Sequence, residues 1–395
     1  MSLLLLAGTA LFLRTLWSLA AVNLGFATRN VLTFETDPGQ SGYKPAQLGP
    51  VYRQLEAQLS AIPGVEEVGM SHQGLIEGFV SNGPIKIHSS DKEGKETWFL
   101  YCSNSFLSTM KIPILLGRDL TSSDFDRNSR NAVVNEVFVK RYLTRMNPIG
   151  QTFYWPDPEG NGFDPKPLTI VGVAKDAHYQ SVRSEAPPTA YLPYGLRPSL
   201  ITTMSFVVRT RVMPTTLGTD VRRAVANVDP NLPVAKMRTE RDQVDLSLGT
   251  EKLFATLITA FGAIAVALAA IGLFGVMAFS VTRRTSEIGI RIAIGAERGQ
   301  VRWLILRQSL TMAAVGIAAG MPAAFALTRL VKNRLYGVEP NDPISMMAAA
   351  LAMLGVAALA AWFPARRASR VDPLVALRYE WPAGIPRGQF HCQRS

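Results

Sequence analysis

Cysteine is nearly absent. Cys102 and Cys392 are the only two in 395 residues, so no disulfide framework and no thiolate metal cage can be built. Histidine is scarce as well. His72, His88, His178 and His391 lie far apart, with no H-E-x-x-H and no pair at ligand spacing. No G-x-x-x-x-G-K-S/T stretch occurs, which excludes ATP binding by a P-loop of this chain's own. No serine or cysteine stands in a nucleophile elbow or another recognisable catalytic motif. The residues therefore point to no catalysis, no metal and no cofactor. Acidic residues are outnumbered, 30 against 41 Lys and Arg, for a formal net charge of +11. Much of that excess sits in arginine clusters beside apolar runs rather than along a soluble face. This pattern excludes nucleic acid as the natural partner and selects a lipid bilayer. The apolar fraction is an ordinary 48%. Hydrophobicity is thus concentrated in runs, and the chain divides into a membrane part and a soluble part.

Charge is missing altogether from Leu253–Val281 and nearly so from Trp303–Val331. Between them lies a short basic island, Thr282–Arg302, with Arg283, Arg284, Arg291, Arg298 and Arg302 against Glu287 and Glu297. A loop this short and basic belongs on the cytoplasmic face. Its middle has helical spacing. Ile288, Ile292 and Ala293 share a face, and Glu287 and Arg291 form an i,i+4 pair. Ser286 is placed to cap the start and Gly295 to end it. The expectation is a helix of about 15 Å lying across the inner mouth of two membrane helices, open to a push from the cytosol.

Ser2–Leu13 is uncharged but spans only about 18 Å, short of a hydrocarbon core about 30 Å thick. Arg14 and Trp17 follow. A signal peptide is disfavoured, because no Lys or Arg precedes the run and no clear cleavage site follows it. The run reads as a first membrane helix whose beginning precedes Met1, with an intact tilted or half-inserted helix as the alternative. Asn23–Thr250 is soluble in character. Strands are expected at Val31–Thr36, Val65–Met70, Ile85–His88, Thr97–Tyr101, Ala132–Asn135, Leu168–Val173 and Met204–Thr210. Helices are expected at Pro45–Ala61, Asn135–Leu143 and Thr215–Val228, and a Pro/Gly/Asp-rich loop at Asp157–Pro167. Their irregular alternation gives an α+β domain, with two lobes an open arrangement. Glu240–Lys252 runs without a proline into Leu253–Val281, so one long helix should leave the bilayer and enter this domain. Pro322 should kink the third span. The last span, Ile344–Phe363, is rich in Ala and suited to close packing. A second basic cluster, Arg366, Arg367 and Arg370, follows it.

Both arginine clusters should be cytoplasmic, so the large domain between the first and second spans lies outside. The two cysteines then fall on opposite sides of the membrane and should not pair. The fold class expected is a membrane protein of four transmembrane α-helices, the first truncated, with a large α+β extracytoplasmic domain between helices 1 and 2.

Four stretches resemble a known family. Arg283–Ala296, RRTSEIGIRIAIGA, is similar to the cytoplasmic coupling segment of MacB/FtsX-like permeases, the membrane subunits of type VII ABC systems. Pro364–Glu380, PARRASRVDPLVALRYE, resembles their C-terminal signature. Ile114–Asp124 with Asn147-Pro148-Ile149-Gly150, and Thr169–Tyr194, resemble the periplasmic core domain of the macrolide-exporter type. These matches occur in the family's order and span nearly the whole chain.

The resemblance implies a layout of helix 1 at 1–22, a periplasmic core domain at 23–250, a permease domain at 251–380 and a cytoplasmic tail at 381–395. Transmembrane helices 2 to 4 would occupy about 253–281, 304–331 and 344–364, with a coupling helix at 284–295. It implies residence in the bacterial inner membrane, with residues 24–250 extracytoplasmic. It implies a separate cytosolic ABC ATPase that contacts Arg284, Glu287, Ile288, Gly289, Arg291, Ile292 and Gly295. It further implies a dimer with a second permease copy or half, and it admits a periplasmic adaptor. The implied work is mechanotransmission, in which ATPase closure moves the membrane helices and the external domain. The outcome would be efflux or extrusion of a small molecule, lipid or peptide. The alternative is a non-transport regulator acting on an extracytoplasmic partner such as a cell-wall hydrolase. Two copies of this unit occur in some large members of the family, and a second copy would begin as this chain does. Elsewhere the residues invite only structural readings. Asp124 and Asp126 beside Arg118 and Asp119 read as a solvated turn rather than a cation site. Trp98, Phe99 and Tyr101 read as strand residues packing a core rather than lining a pocket.

Overall fold

The computed structural model describes residues 2–78, 81–125, 129–144, 146–157, 162–197, 201–294, 297–330 and 343–368. It gives backbone alone at some helical positions, among them Ser286, Gly289, Ile292 and Ala293. The chain folds as two units, Ala21–Thr250 and the combination of Met1–Ala20 with Glu251–Ser395.

Labels follow chain order, beginning with α1 (Ser2–Ala20) of the helical unit. The external unit, Ala21–Thr250, contains one mixed sheet. Its strands are β1 (Val31–Thr36), β2 (Val65–Ser71), β3 (Asn82–Ile85), β4 (Lys95–Cys102), β5 (Ile114–Gly117) and β6 (Asn131–Asn135). They continue with β7 (Thr152–Phe153), β8 (Leu168–Ala174), β9 (Thr189–Pro193), β10 (Met204–Thr210) and β11 (Ala235–Thr239). Its helices are α2 (Pro45–Ser60), α3 (Phe106–Thr109), α4 (Glu136–Tyr142), α5 (Gly218–Val228) and α6 (Glu240–Ser247). The strand order is β11-β1-β10-β2-β4-β9-β6-β8-β5, with β3 on β4 and β7 on β8. The first four positions are a split βαβ. The segments β1–α2–β2 and β10–α5–β11 interleave there, with every adjacent pair antiparallel. Strands β3 to β9 are inserted between those halves and extend the same sheet.

Periodicity explains the packing. Leu48, Val51, Tyr52, Leu55 and Leu59 recur at helical spacing along α2 and are buried. Leu32 and Phe34 alternate along β1 and join the same core. Phe34 stacks on Phe206 of β10 with ring centroids 5.2 Å apart, in register across the antiparallel pair. The Tyr52 hydroxyl donates to the Thr202 carbonyl. Phe99 and Tyr101 of β4 are core residues, while Trp98 is only half-buried.

Several expectations need correction. The strand expected at Ile85–His88 lies at Asn82–Ile85, because pairing with β4 runs from Asn82 opposite Trp98 to Ile85 opposite Lys95. Lys86 forms only an isolated bridge with Tyr154. Strand β9 was not expected at all. Each of its five residues is buried, so it lacks the alternation that marks a strand with one wet face. Asp124 does not sit in a solvated turn. It is 2% exposed and accepts from Arg118 Nη1 and Nη2 at 2.6 and 3.1 Å, from Thr121 N at 2.8 Å and from Asn131 Nδ2 at 2.6 Å. Burial alone would raise its pKa, but these donors outweigh it and hold the carboxyl well below the usual range. Asp126 lies outside the described residues.

Gly172 of β8 shows why that turn closes tightly. A Cβ there would stand 2.0 Å from the Arg118 carbonyl oxygen. Asn135 joins three elements and is fully buried. Its Oδ1 accepts from Phe138 N at 3.0 Å, which caps α4, and from Thr189 N at 2.9 Å. Its Nδ2 donates to Pro187 O at 2.8 Å.

In the helical unit, α1, α7 (Gly249–Arg283), α9 (Arg298–Leu330) and α10 (Pro343–Ala368) are each long and apolar enough to cross a membrane. The short α8 (Thr285–Ala293) joins α7 to α9. Helix α1 continues past Arg14 to Ala20, giving 19 residues and a length of about 28 Å. It is thus longer than its uncharged run. Its buried stripe, Leu3, Ala7, Leu11, Thr15 and Leu19, has the four-residue spacing of one helix face. Leu3, Ala7 and Leu11 pack with Ala324, Met346 and Ala349. Thr9 Oγ1 reaches the Ile258 carbonyl at 3.3 Å, and a Cβ on Gly262 would stand 2.8 Å from that hydroxyl. Ser309 Oγ donates to Ala357 O at 3.1 Å in the buried α9–α10 contact. Helix α9 runs through Pro322 as one helix, since a missing N–H removes one bond without ending the helix.

Helix α6 and α7 are not one helix. Leu248 interrupts them with φ −93° and ψ 8°. Its N–H still reaches Val244 O at 3.3 Å, so the break is a single residue wide. The turn leaves Leu248 4% exposed, whereas Leu246 is 61% exposed. The break falls just before Gly249, a weak helix former that the sequence does show at this position.

Candidate functional site: the helix between the second and third apolar helices

The helix expected inside the basic island, at 284–295, is present as α8, Thr285–Ala293. Arg284 alone separates α7 from α8, and its N–H reaches Ser280 O at 3.2 Å and Val281 O at 3.1 Å. Thr285 Oγ1 bonds to Val281 O at 3.0 Å and Thr282 O at 2.9 Å. Ile288 N donates to Arg284 O at 2.9 Å. The hydrogen-bond ladder therefore passes from α7 into α8 nearly unbroken. Ser286 does not cap α8, because it lies inside the first turn. Gly295 and Arg370 lie outside the described residues, as do most of the C-terminal signature and Cys392. The nine residues of α8 make a helix of about 13 Å.

Two faces of α8 differ. The inner face is anchored by Ile288, 5% exposed, in a cluster with Met277 of α7, Val301 and Ile305 of α9, and Ala361 and Ala365 of α10. A crevice of about 390 Å³, open solvent included, is lined by Ser280 and Arg284, by Glu287, Ile288 and Arg291 of α8, and by Leu304, Ile305 and Gln308 of α9. The outer face carries the expected ion pair, with Arg291 Nη2 2.7 Å from Glu287 Oε1. Both side chains are about half exposed, 52% for Glu287 and 51% for Arg291, so the pair adds only about 0.3–0.5 kcal/mol to the helix. Ile290 and Ile294 stand beside it, 41% and 82% exposed.

The resemblance names Ile288 among the ATPase contacts, whereas its side chain packs inside the helical unit and Ile290 and Ile294 stand exposed. Their i,i+4 spacing is legible, but which of the two apolar faces points inward depends on the azimuth of α8 over α7 and α9. Arg284 is exposed. Gly289 and Ile292 lie on α8 with backbone described alone. Ile288 packs α8 against α7, α9 and α10.

The external unit holds ionisable groups of its own. His72 is buried against the Tyr101 ring and accepts from Tyr101 N through Nδ1 at 3.2 Å. Burial lowers its pKa to about 4, so it is neutral. The free thiol of Cys102 is fully buried, which raises its pKa well above the ordinary value. A groove of about 1240 Å³, open solvent included, between α2 and β2 carries Glu56, Glu66 and Glu67 against Arg53. At the base of α6, Glu240 is 2% exposed and one of its oxygens is buried without a hydrogen-bond partner. Burial, then the nearby Glu77 charge, raises its pKa to about 8.

Sequence comparisons agree on one family. Residues 9–237 match the MacB-like periplasmic core domain, and residues 259–373 match the FtsX-like permease C-terminal family. The chain is 25% identical over 283 residues to an uncharacterized ABC transporter permease, YknZ, of Bacillus subtilis, covering 70% of this chain and 69% of that protein. It is 27% identical over 354 residues to the pyoverdine export ATP-binding/permease protein PvdT of Pseudomonas aeruginosa, covering 85% of this chain and 49% of PvdT. It is 24% identical over 281 residues to the macrolide export ATP-binding/permease protein MacB of Mannheimia succiniciproducens, covering 67% of this chain and 40% of MacB. The matched stretch thus spans under half of those two export proteins. Among solved structures, the periplasmic region of MacB from Actinobacillus actinomycetemcomitans aligns with 59% of this chain and 98% of that one, at 14% identity and a TM-score of 0.39.

Proposed function

The chain belongs to the FtsX-like ABC transporter permeases with a MacB-like periplasmic core domain, and from that premise we propose that it transmits the motion of a separate cytosolic ATPase to its external domain. One observation carries this reading. Helix α8 is held between α7 and α9 through Ile288, and α7 is separated from the external α6 by Leu248 alone. A displacement of α8 therefore has a short, nearly helical path to residue 240. The outer face, Glu287, Ile290, Arg291 and Ile294, is the ATPase contact. Arg284 lies at the N-terminal edge of that contact, with Gly289, Ile292 and Gly295 filling out the segment. Ile288 acts as the tie to the membrane helices.

The protein works as a multi-pass inner-membrane subunit paired with a second copy or half. Helix α7 supports the pairing, since only 6% of its most apolar window is buried within the chain. Leu257, Phe261, Ile264 and Leu268 all stand exposed along it. Efflux or extrusion of a small molecule, lipid or peptide is the activity we assign, in keeping with the export proteins among its relatives. An adaptor on the external side would complete such a path.

The test is Glu287→Lys. Both partners of the ion pair are half exposed, so reversal leaves the fold within about 0.5 kcal/mol of wild type. Co-purification with the ATPase and permease-stimulated ATP hydrolysis should both fall, the affinity by about tenfold, equivalent to about 1.4 kcal/mol. Ile290→Asp should act in the same direction. Wild-type binding and stimulation in both variants would remove the coupling role from α8.

A further inference from the structure

The cytoplasmic ends of α7 and α10 line a second groove with Thr285, the first residue of α8. Its free space, open solvent included, is about 960 Å³. Its walls are Phe274, Ala278 and Val281 of α7 and Phe363 and Pro364 of α10, and Arg367 stands among them. Phe274 is 46% exposed and Phe363 72% exposed, on helices apolar enough to span the bilayer. The groove therefore opens sideways to hydrocarbon and not only to the cytosol.

Its rim is cationic. Arg283 is in the last turn of α7, and Arg366 and Arg367 are in the last turn of α10. The Arg283 guanidinium lies over the Phe279 ring, 5.6 Å from its centroid. Among the described residues no carboxylate pairs with Arg283 or Arg367. Glu287, the acidic residue of α8, is committed to Arg291. The rim hydroxyls are committed too. Thr282 Oγ1 donates to Ala278 O at 2.9 Å, and Thr285 Oγ1 bonds to the Val281 and Thr282 carbonyls. What the groove offers a ligand is an aromatic and aliphatic channel ending at the Arg367 guanidinium.

Charge complementarity and the lateral opening select one occupant. We propose that an anionic phospholipid of the cytoplasmic leaflet binds this groove, with its phosphate on Arg367 and an acyl chain along Phe274 and Phe363. Basic pockets between membrane helices at the cytoplasmic face are suited to such headgroups. The guanidinium supplies a planar donor fork for phosphate oxygens. Both Thr282 and Thr285 line the groove, one at the end of α7 and one opening α8. The lipid thereby braces the junction that carries α8. This inference rests on the membrane placement of the helices and not on the coupling role of α8.

The experiment uses the full chain purified in detergent and analysed by native mass spectrometry. Phosphatidylglycerol or phosphatidylcholine with matched acyl chains is added. Wild type should retain one phosphatidylglycerol through activation that strips phosphatidylcholine. Arg367→Gln should weaken that retention about fivefold, the electrostatic contribution of one arginine near the membrane surface. Ala278→Trp should abolish it by filling the channel. Inorganic phosphate at millimolar concentration should not displace the lipid. Elution volume and helical circular dichroism matching wild type certify each variant, and Ala278→Leu replaces the tryptophan variant if that one does not fold. Equal retention of the two lipids would overturn the proposal, and so would wild-type retention in both groove variants. Displacement by phosphate alone would make this a free-anion site. Loss of ATPase or second-copy association in Ala278→Trp with lipid retention intact would make it a protein-docking surface. Either outcome overturns the lipid assignment, and neither bears on whether Glu287 contacts the ATPase.

Discussion

Single residues carry most of the electrostatic consequences. Glu240 is a buried carboxyl whose nearest charges are Glu77, which raises its pKa, and Arg238, which lowers it less. Glu77 is itself raised, first by burial and then by Glu35, while Lys236 opposes. Lys236 Nζ in turn sits 2.8 Å from Glu35. A carboxyl with a folded pKa of about 8 and an ordinary unfolded pKa favours the fold when protonated. The contribution is fully present below the unfolded value and is lost as pH rises through about 8. At pH 7 the penalty is on the order of 3 kcal/mol. Glu240→Gln should remove that slope. Hydrogen exchange of residues 240–248, corrected for intrinsic rates, should quicken from pH 5 to pH 8 in wild type and stay level in the variant. Asn135 gives a second prediction. Asn135→Ala deprives Phe138 N and Thr189 N of their acceptor and Pro187 O of its donor. With no exposure to water at that site, the cost is about 3 kcal/mol, measured as a fall in the urea midpoint of the external domain's unfolding transition. An unchanged midpoint would mean that water or a rotated backbone replaces the amide.

Among the elements, the α6–α7 junction has the most direct mechanical meaning. Only Leu248 separates α6 from α7, and its N–H closes α6 on Val244 O. Two glycines inserted after Leu248 would convert that turn into a compliant hinge, since glycine adds backbone freedom on both sides. The expected outcome is normal membrane insertion, normal ATPase binding and permease-stimulated hydrolysis, with loss of any ATP-dependent distance change between labels in the external and cytoplasmic parts. If the distance change survives the insertion, motion does not travel through this joint. Helix α8 belongs to the same scale. A charge at its inner anchor, Ile288, should lower the thermal midpoint of the purified protein because Ile288 sits among Met277, Ile305 and Ala361, whereas a charge at Ile294, 82% exposed, should leave that midpoint unchanged and act only on the ATPase contact.

At the scale of the whole molecule the prediction is topological. The two ends of the arginine asymmetry, Arg283 and Arg284 on one side and Arg366 and Arg367 on the other, bracket helices α9 and α10 on the cytoplasmic face. Ser89 is exposed in the external unit and Gln300 is exposed at the start of α9. In a Cys392→Ser background the native Cys102 is silent, because its thiol is buried and its pKa raised. Ser89→Cys should then react with an impermeant maleimide in intact spheroplasts, and Gln300→Cys should react only after lysis. The reverse pattern would invert the assignment of every segment.

The sequence by itself determined the four apolar helices, the side of the membrane they favour and the α+β character of the external unit. Those properties follow from runs of hydropathy, from charge counted beside them and from short-range periodicity, all of which are local. It also determined the Glu287–Arg291 pair, because four residues on a helix fix the separation of two side chains. The tertiary structure decided what depends on distant partners. Strand β9 is buried on both faces, so its residues show no alternation to read. Asp124 became a buried ion-pair partner because Asn131 and Arg118 converge on it, although its surroundings in the chain look like a solvated turn. The helix expected to run on from Glu240 through Lys252 is interrupted at Leu248, just before Gly249. Ile288 turned inward and Ile290 and Ile294 outward because α7, α9 and α10 lie under one face of α8. That azimuth is set by packing among helices far apart in the chain, and no local pattern encodes it.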